Sequence, residues 1–440
     1  MALTQISTGG IKDTTIATAD IADDAVTSAK IADGTIVAAN IANDSITAVQ
    51  LANNSADINV IVDGAVSTAK IADDAVTQAK MADNAIGTSQ LANNAVYTAA
   101  IQDDAVTTAK VADNAITQAK LNFPVANRNL VINGAMNVAQ RASSATSVAG
   151  NLGFTYDTVD RFVYGRSTDA VVNLAQEDDA PLGFKKCLQV RVTTAATSTS
   201  YARIVYRIED TDVYRFGFGV SGTRFLTLSF YHKHTQAGTN CVMIQNPSYN
   251  RSYIAEYTQS VANTWERATI TFPVDTGNHW SPSGGRGMQI QWGLTNADAV
   301  GSANAWTSSN IVVTSNQYNH LGAVDNYFRL TGIQLELGSV ATDFEHRSFG
   351  QELALCQRYY YKNSGAGIIL FNEYNETTSN NWATVFLPVS MRSAPTATTT
   401  ALQGGTVNST DTSIDMISLN STSTTSYIGN ATTVEASAEL

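Results

Sequence analysis

The residues of this chain that could do chemistry are few and widely spaced. His232-Lys233-His234 puts two imidazoles on one face of a strand, because side chains alternate across a strand. Such a pair can ligate a metal, but the sequence places no third ligand, and an exposed strand is the simpler reading. Asp157 and Asp160 are the residue types of a glycosidic acid–base pair. Turn residues at a strand end explain them more simply. Gly217-Phe218-Gly219 lacks the strand-to-helix setting of a nucleotide loop. His279-Trp280, ahead of Ser281-Pro282-Ser283-Gly284-Gly285, could stack a sugar ring, although a buried Trp anchor is the plainer reading. Nearer the C-terminus, Tyr374, Trp382 and Tyr427 are the aromatic residues least claimed by strand alternation, with Asn372, Asn375, Asn380 and Asn381 close by. Such rings stack on the apolar C–H faces of sugars while amides read the hydroxyls. Tyr374, Trp382, Tyr427, Asn375 and Asn381 are therefore the expected receptor contacts, against the alternative that Trp382 fills the core of a small unit. No catalytic residue is assigned and no metal ligand set is found. The expected chemistry is binding without turnover.

The elements that must carry these residues begin with a repeat. Residues 11–120 are one ten-residue phrase written eleven times, nearest to consensus at Ile71-Ala72-Asp73-Asp74-Ala75-Val76-Thr77-Gln78-Ala79-Lys80. Two columns stay apolar: Ile11, Ile21, Ile31, Ile41, Leu51 and their successors, and Ile16, Val26, Ile36, Ile46 and theirs. A fixed short period marks an array rather than a globule. The apolar columns fall five apart, so a heptad coiled coil fits poorly. Asp24, Gly34, Asp44, Asn54, Gly64 and Asp74 share the fourth column, and these residue types tolerate a left-handed backbone. The spacing predicts one helical turn, such as Gln78 to Ala82 with Thr77 as its cap, a left-handed stop, then a short extended segment. The competing expectation is a β-spiral that turns at Asp-Asp or Asp-Gly. Two large apolar side chains per decad do not offset the ordering of ten residues, so the columns need other decads or other chains. Identical chains closing around an axis would supply them. The phrase breaks at Ala56 to Val60, read as drift in a tolerant repeat or as a bend.

Composition excludes several classes. The formal net charge of −12 argues against nucleic acid or an anionic membrane as a main partner. No run approaches twenty apolar residues, so no membrane insertion is expected. Met1-Ala2-Leu3-Thr4-Gln5 lacks a basic region followed by an apolar run, so no secretory signal is expected. Cys187, Cys241 and Cys356 are odd in number and widely spaced, which suits reduced thiols. Before Leu121 the only aromatic residue is Tyr97, whereas all five Trp follow it. Conventional cores are therefore expected only after Asn122-Phe123-Pro124.

From about residue 125 to 345 short alternating runs are split by Gly, Asn, Asp and Ser. Examples are Phe225-Leu226-Thr227-Leu228-Ser229-Phe230-Tyr231 and Met288-Gln289-Ile290-Gln291-Trp292. Period two with turn signals predicts a β-sandwich. Residues 350–360 suit a short helix or turn pair, and 362–440 a second β unit with a thin core.

Several segments resemble known proteins. Asn129-Leu130-Val131-Ile132-Asn133-Gly134-Ala135-Met136-Asn137-Val138-Ala139-Gln140-Arg141 resembles the opening of sandwich domains in bacteriophage tail-fibre proteins, and Tyr156-Asp157-Thr158-Val159-Asp160-Arg161-Phe162 the segment after it. Thr264-Trp265-Glu266-Arg267 and Gly332-Ile333-Gln334-Leu335-Glu336-Leu337-Gly338 resemble late strands of jelly-roll carbohydrate-binding modules. Phe344 to Tyr360, Trp382 to Thr396 and Ala436 to Leu440 are similar to tail-fibre segments, as are the decads. The resemblance implies a mainly β, elongated homotrimeric fibre: a virion-attachment N-terminus (1–10), a decad shaft of short helical turns and short strands (11–122), a jelly-roll β-sandwich (123–347), a helical connector (348–361) and a small β tip (362–440). It implies a virion tail fibre, made in the bacterial host cytoplasm and anchored to a phage tail or other virion protein. The fibre would mediate host attachment by binding surface polysaccharide or lipopolysaccharide. A decoration fibre without receptor role and a polysaccharide depolymerase are the alternatives. No cofactor is expected; the jelly-roll resemblance leaves room for a structural calcium ion, with no ligands assigned.

Overall fold

The structure is a computed structural model of the 440-residue chain. It describes residues 16–47 and 49–52, parts of the following decads up to residue 115, and 128–440 except 151–152, 215, 223, 278–279, 281–284, 369–380, 403–405 and 423–430. The chain divides into two compact units, Met1–Lys110 and Val111–Leu440.

In the first unit each described decad makes two tight reversals. Thr18–Asp20, Ser28–Lys30, Ala38–Asn40, Gln78–Lys80 and Thr108–Lys110 are single 3-10 turns. The residue after the turn is extended, as at Ile21 (φ −109°) and Ile31 (φ −105°). A second turn follows, closed by the Ala25 amide donating to the Ala22 carbonyl at 3.0 Å and Thr35 to Ala32 at 3.2 Å. Its left-handed residue is Asp24 (φ 60°), Gly34 (φ 77°) or Asp44 (φ 62°), as the fourth column requires. The decad thus combines features of both expected forms, with two differences. The helical piece is one 3-10 turn, and Thr27 at its start makes no side-chain cap. The tenth residue does that work instead: Asp20 and Asn40 accept from the amides of Ala17 and Val37, each at 2.9 Å. Where the tenth residue is Lys, it donates to a carbonyl five residues back, Lys30 to Ala25 and Lys80 to Ala75, each at 2.6 Å. None of the described decad residues is buried. Ile21, Ile31 and Ile41 are about 40 % exposed, and Val26, Ile36 and Ile46 more than half.

The second unit is mainly β. Its larger part has thirteen strands: β1 (Ser144–Val148), β2 (Gly153–Thr155), β3 (Phe162–Thr168), β4 (Val171–Glu177), β5 (Cys187–Thr194), β6 (Thr199–Glu209), β7 (Phe225–His234), β8 (Gly238–Gln245), β9 (Ser252–Gln259), β10 (Glu266–Pro273), β11 (Arg286–Gly293), β12 (Trp306–Thr307) and β13 (Tyr327–Leu337). They form two antiparallel sheets, ordered β1-β4-β5-β13-β7-β10 and β12-β9-β8-β11-β6-β3-β2. Alternation fills the space between them. Leu226, Leu228 and Phe230 of β7 meet Met288, Ile290 and Trp292 of β11 and Ile204, Tyr206 and Ile208 of β6 in one core. Each such side chain contributes about 1.5–3 kcal/mol by leaving water. In β13 the parity slips at Gly332 (φ +62°), where pairing with β7 shifts register. Phe328 and Leu330 face the core before the bulge, Ile333 and Leu335 after it. A Cβ at 332 would stand 2.7 Å from the Phe184 ring, so only glycine fits. Residues 129–138 are tied down by their asparagines: the Asn129 amide donates to the Ile333 carbonyl and the Asn133 amide to those of Val138 and Asp160.

Two helices, α1 (Asp210–Tyr214) and α2 (Phe349–Gln357), lie in this unit; Ser348 caps α2 by accepting from the Gln351 amide. The remaining strands are β14 (Tyr360–Ile368), β15 (Asn381–Phe386), β16 (Thr396–Leu402), β17 (Thr406–Thr412), β18 (Met416–Thr422) and β19 (Ala431–Ser437). They make two three-stranded sheets, β14-β19-β16 and β15-β18-β17, around a small core that includes Ile417, Leu419 and Val434. The chain after β19 returns to the sandwich. Glu439 meets the wholly buried Arg161 at 2.5 Å, and the Arg161 guanidinium lies 3.3 Å from the centre of the Tyr359 ring. Burial disfavours that cation most, but Glu439 together with Tyr206, Tyr359 and Tyr156 outweighs it and holds the guanidinium charged. The three cysteines are free and buried. Among the described residues, no helix is long and apolar enough to cross a membrane.

Candidate functional site

Tyr374, Asn375 and Tyr427 lie outside the described residues, as does His279. Asn381 and Trp382 open β15, pairing with Ser421 and Asn420 of β18, but their side chains are outside the described part. The described structure gathers a different set of aromatic residues, at one end of the sandwich.

That end is built by loops with separate local causes. After β6 the chain makes α1 and then Gly217-Phe218-Gly219, whose glycines take φ of 73° and 77°. These left-handed glycines turn the chain around Phe218. The Phe218 ring lies 4.0 Å from Trp280, tilted by 30° to it. In the loop before β9, the Asn246 side chain accepts from the amides of Asn250 (3.1 Å) and Arg251 (3.0 Å), a local turn that sets Tyr249 at φ 60°. The Arg286 guanidinium covers the Tyr249 ring at 4.3 Å and donates to the Pro247 carbonyl at 2.8 Å.

Asp275 organises the centre. Arg251 reaches both its oxygens, Nη2 at 2.7 Å and Nε at 3.1 Å, and Trp280 Nε1 donates to it at 2.9 Å. Burial alone would raise the Asp275 carboxyl, but the bonds from Arg251 and Trp280 prevail and hold it below the usual carboxylate range. Trp306 stands edge-on to Trp280 at 5.7 Å, anchored by Nε1 to the Pro273 carbonyl at 2.7 Å, and packs on Tyr253.

Tyr214, Val213 and Asp210 of α1 line a shallow pocket, half open to solvent, together with Phe218, Pro247, Trp280 and Gly287. Tyr214 is 74 % exposed. Gly287 lets α1 approach, because any Cβ there would strike the Asp210 backbone. The pocket therefore offers aromatic walls and the exposed Tyr214 side chain to a ligand with both C–H faces and hydroxyls. Trp280 is at once half-buried anchor and pocket wall. Tyr214, Phe218, Tyr249 and Trp306 carry no sequence signal beyond the glycines around Phe218.

No protein-family model matches the chain, and no curated protein matches its sequence. Similar solved structures cover the sandwich. A CBM4 structure is 12 % identical, with 47 % of this chain and 100 % of that chain covered and a TM-score of 0.27. A putative sugar binding protein from Bacteroides thetaiotaomicron is 11 % identical, covering 48 % and 100 %, at a TM-score of 0.26. A family 11 carbohydrate-binding module from Clostridium thermocellum, in complex with a β-1,3-1,4-mixed-linked tetrasaccharide, is 13 % identical, covering 46 % and 97 %, at 0.22. Scores of that size do not establish a shared fold; the sandwich description rests on the strand pairings above.

The other residues of interest are occupied. Asp160 is buried and accepts from Gln140, while Asp157 accepts from Thr155 and lies 3.6 Å from Arg166. Burial pushes the Asp160 carboxyl up, against the Gln140 bonds. The exposed-strand reading of His232 and His234 is corrected: both are buried, at 1 % and 0 %. They share the parity of Leu226, Leu228 and Phe230, so the face they share is the core face. Among the described residues no group of three or more His, Cys, Asp or Glu is arranged to hold a metal ion.

Proposed function

We propose that this chain is a glycan-binding attachment protein, a bacteriophage tail fibre in which self-associated decads carry β-sandwiches that hold host-surface polysaccharide or lipopolysaccharide without cleaving it. The observation that carries the reading is the half-open pocket lined by Tyr214 of α1, Phe218 and Trp280, with the Phe218 and Trp280 rings packed on each other. Sugars match such a wall because one face of a pyranose is apolar and its rim is hydroxylated. The tail-fibre and carbohydrate-module resemblances support the same reading. The exposed decad columns support self-association. Among the described residues, fourteen side chains of the two apolar columns are exposed by about half. At roughly 80–90 Å² each they would offer well over the roughly 800 Å² per partner of a standard interface. Three chains, expected by resemblance, would set three weak sites on one particle and multiply their affinity through avidity.

The test is binding of the full chain to capsular polysaccharide and lipopolysaccharide preparations, by titration calorimetry and surface binding, beside Trp280→Ala and Tyr214→Ala. Saturable binding lost in both variants, with no new reducing ends after long incubation, is the expected result. Binding that both variants retain in full would move the receptor site elsewhere. Released sugar would replace attachment with depolymerisation.

A further inference from the structure

The interior of the sandwich holds a group of side chains that glycan binding does not use. His232 and His234 point inward from β7, and His320 enters from the 3-10 turn His320–Gly322. The ring centroids of His232 and His234 are 5.0 Å apart, and those of His234 and His320 4.8 Å. All three are at most 2 % exposed. His232 Nδ1 lies 3.0 Å from Gln259 Oε1 and His320 Nε2 lies 2.7 Å from Asn240 Oδ1; as neutral rings both donate there. Neither nitrogen of His234 has a hydrogen-bond partner among the described residues. Its ring is stacked on Phe328 at 4.6 Å instead.

The surroundings offer a proton no counterion in contact. Tyr257 of β9 lies 4.7 Å from the His232 ring, and Tyr318 lies 5.0 Å from that of His320. Phe230 of β7 and Phe328 of β13 close the cluster. The one carboxylate acting on it is Glu266 of β10, whose oxygens accept from the amides of Ser260 and Val261 and from Gln259. A first proton would be a buried charge, and a second would sit one ring contact away.

We propose that this three-imidazole cluster is an acid-sensitive fault between the two sheets, closed while all three rings are neutral and forced open as they take up protons. Tyr257 belongs to the cluster, whereas Tyr253 of the same strand packs at the aromatic end, so the fault lies at the end of the sandwich away from the pocket. The direction of titration agrees. Burial, and for His234 and His320 the neighbouring imidazoles, lowers His232 to about 4, His320 to about 3 and His234 well below the ordinary value. Unfolded histidines titrate near 6.5, so stability is complete above that pH. It is lost progressively as pH falls toward the folded values, because only the unfolded chain binds the protons.

The test is urea unfolding of the full chain, followed by tryptophan emission between about pH 7.5 and pH 5, above the range where most carboxylates titrate. Below about pH 6 the unfolding constant should rise with each unit by up to about a thousandfold, three protons' worth. His234→Phe keeps a ring against Phe328 and should cut this to about a hundredfold. Imidazole proton resonances of the folded wild type provide a second readout, independent of whether the variant folds. Three of the five histidines should not titrate in this window. A dependence of tenfold or less per unit, an unchanged slope in His234→Phe, or five ordinary titration curves would overturn the proposal.

Discussion

The decads and the sandwich spend their apolar residues in opposite ways. In the sandwich, Trp292, Phe230, Phe272 and Leu228 are completely buried by residues of the same chain. In the decads the most regular apolar columns of the molecule stay about half exposed, and no described residue is buried. The sandwich pairs its backbone through long-range β ladders, whereas the described decads make only short turn bonds such as Ala25 to Ala22 and Lys30 to Thr27. The difference is therefore one of partners. A two-sheet fold is its own partner, whereas the described decads leave their apolar columns uncovered by their own chain.

That contrast can be broken from either side. Trp292→Ala should cost the sandwich about 3–5 kcal/mol, read as a shift in the urea midpoint, because the cavity lies where both sheets meet. All five tryptophans follow residue 121, so their emission reports on the second unit alone. Glu439→Gln should cost about 3–5 kcal/mol in the same assay, because it strands the Arg161 cation in a buried site. Ile31→Asn combined with Ile41→Asn should leave that midpoint unchanged. Sedimentation velocity should instead show weaker self-association, by tenfold or more, about 1.4 kcal/mol. A fall in the urea midpoint of this double variant would show that the decads are not independent of the sandwich core. The smallest effect is expected at Gly34, where Ala must adopt φ 77°. Gly34→Ala should cost about 1 kcal/mol, seen as faster amide exchange in its own decad.

The same contrast explains what could be read from the sequence. The fourth-column left-handed residues were legible, because Asp24, Gly34 and Asp44 state their conformation by type. Alternation placed Phe225 to Tyr231 and Met288 to Trp292 on strands, and both runs fall inside β7 and β11. Continued two residues further, the parity of Leu228 and Phe230 also tells which face His232 and His234 share. Read as polar, they suggested solvent; read by position, they belong to the core. The bulge at Gly332 went unread although its mark is there: the apolar residues are Phe328 and Leu330 before the glycine and Ile333, Leu335 and Leu337 after it, a change of parity at the glycine itself. The aromatic pocket was hidden for another reason. Tyr214 ends α1, Phe218 and Trp280 come from loops and Gly287 from the start of β11, and tertiary packing alone makes them neighbours. Trp280 was the local clue, since His279-Trp280 reads as able to stack a sugar ring beside the plainer reading of a buried anchor, whereas Gly217-Phe218-Gly219 said only that no nucleotide loop is present.

The ion pair between Arg161 and Glu439 also has a bearing on time. Its partners are 278 residues apart. At about 5–20 residues per second, a ribosome would make Glu439 about 15–55 s after Arg161. For that interval the nascent sandwich holds a cation destined for a dry site and still lacking its anion. Anything that shields the strands around Arg161 during synthesis, such as a chaperone, should raise the yield of correctly closed chains.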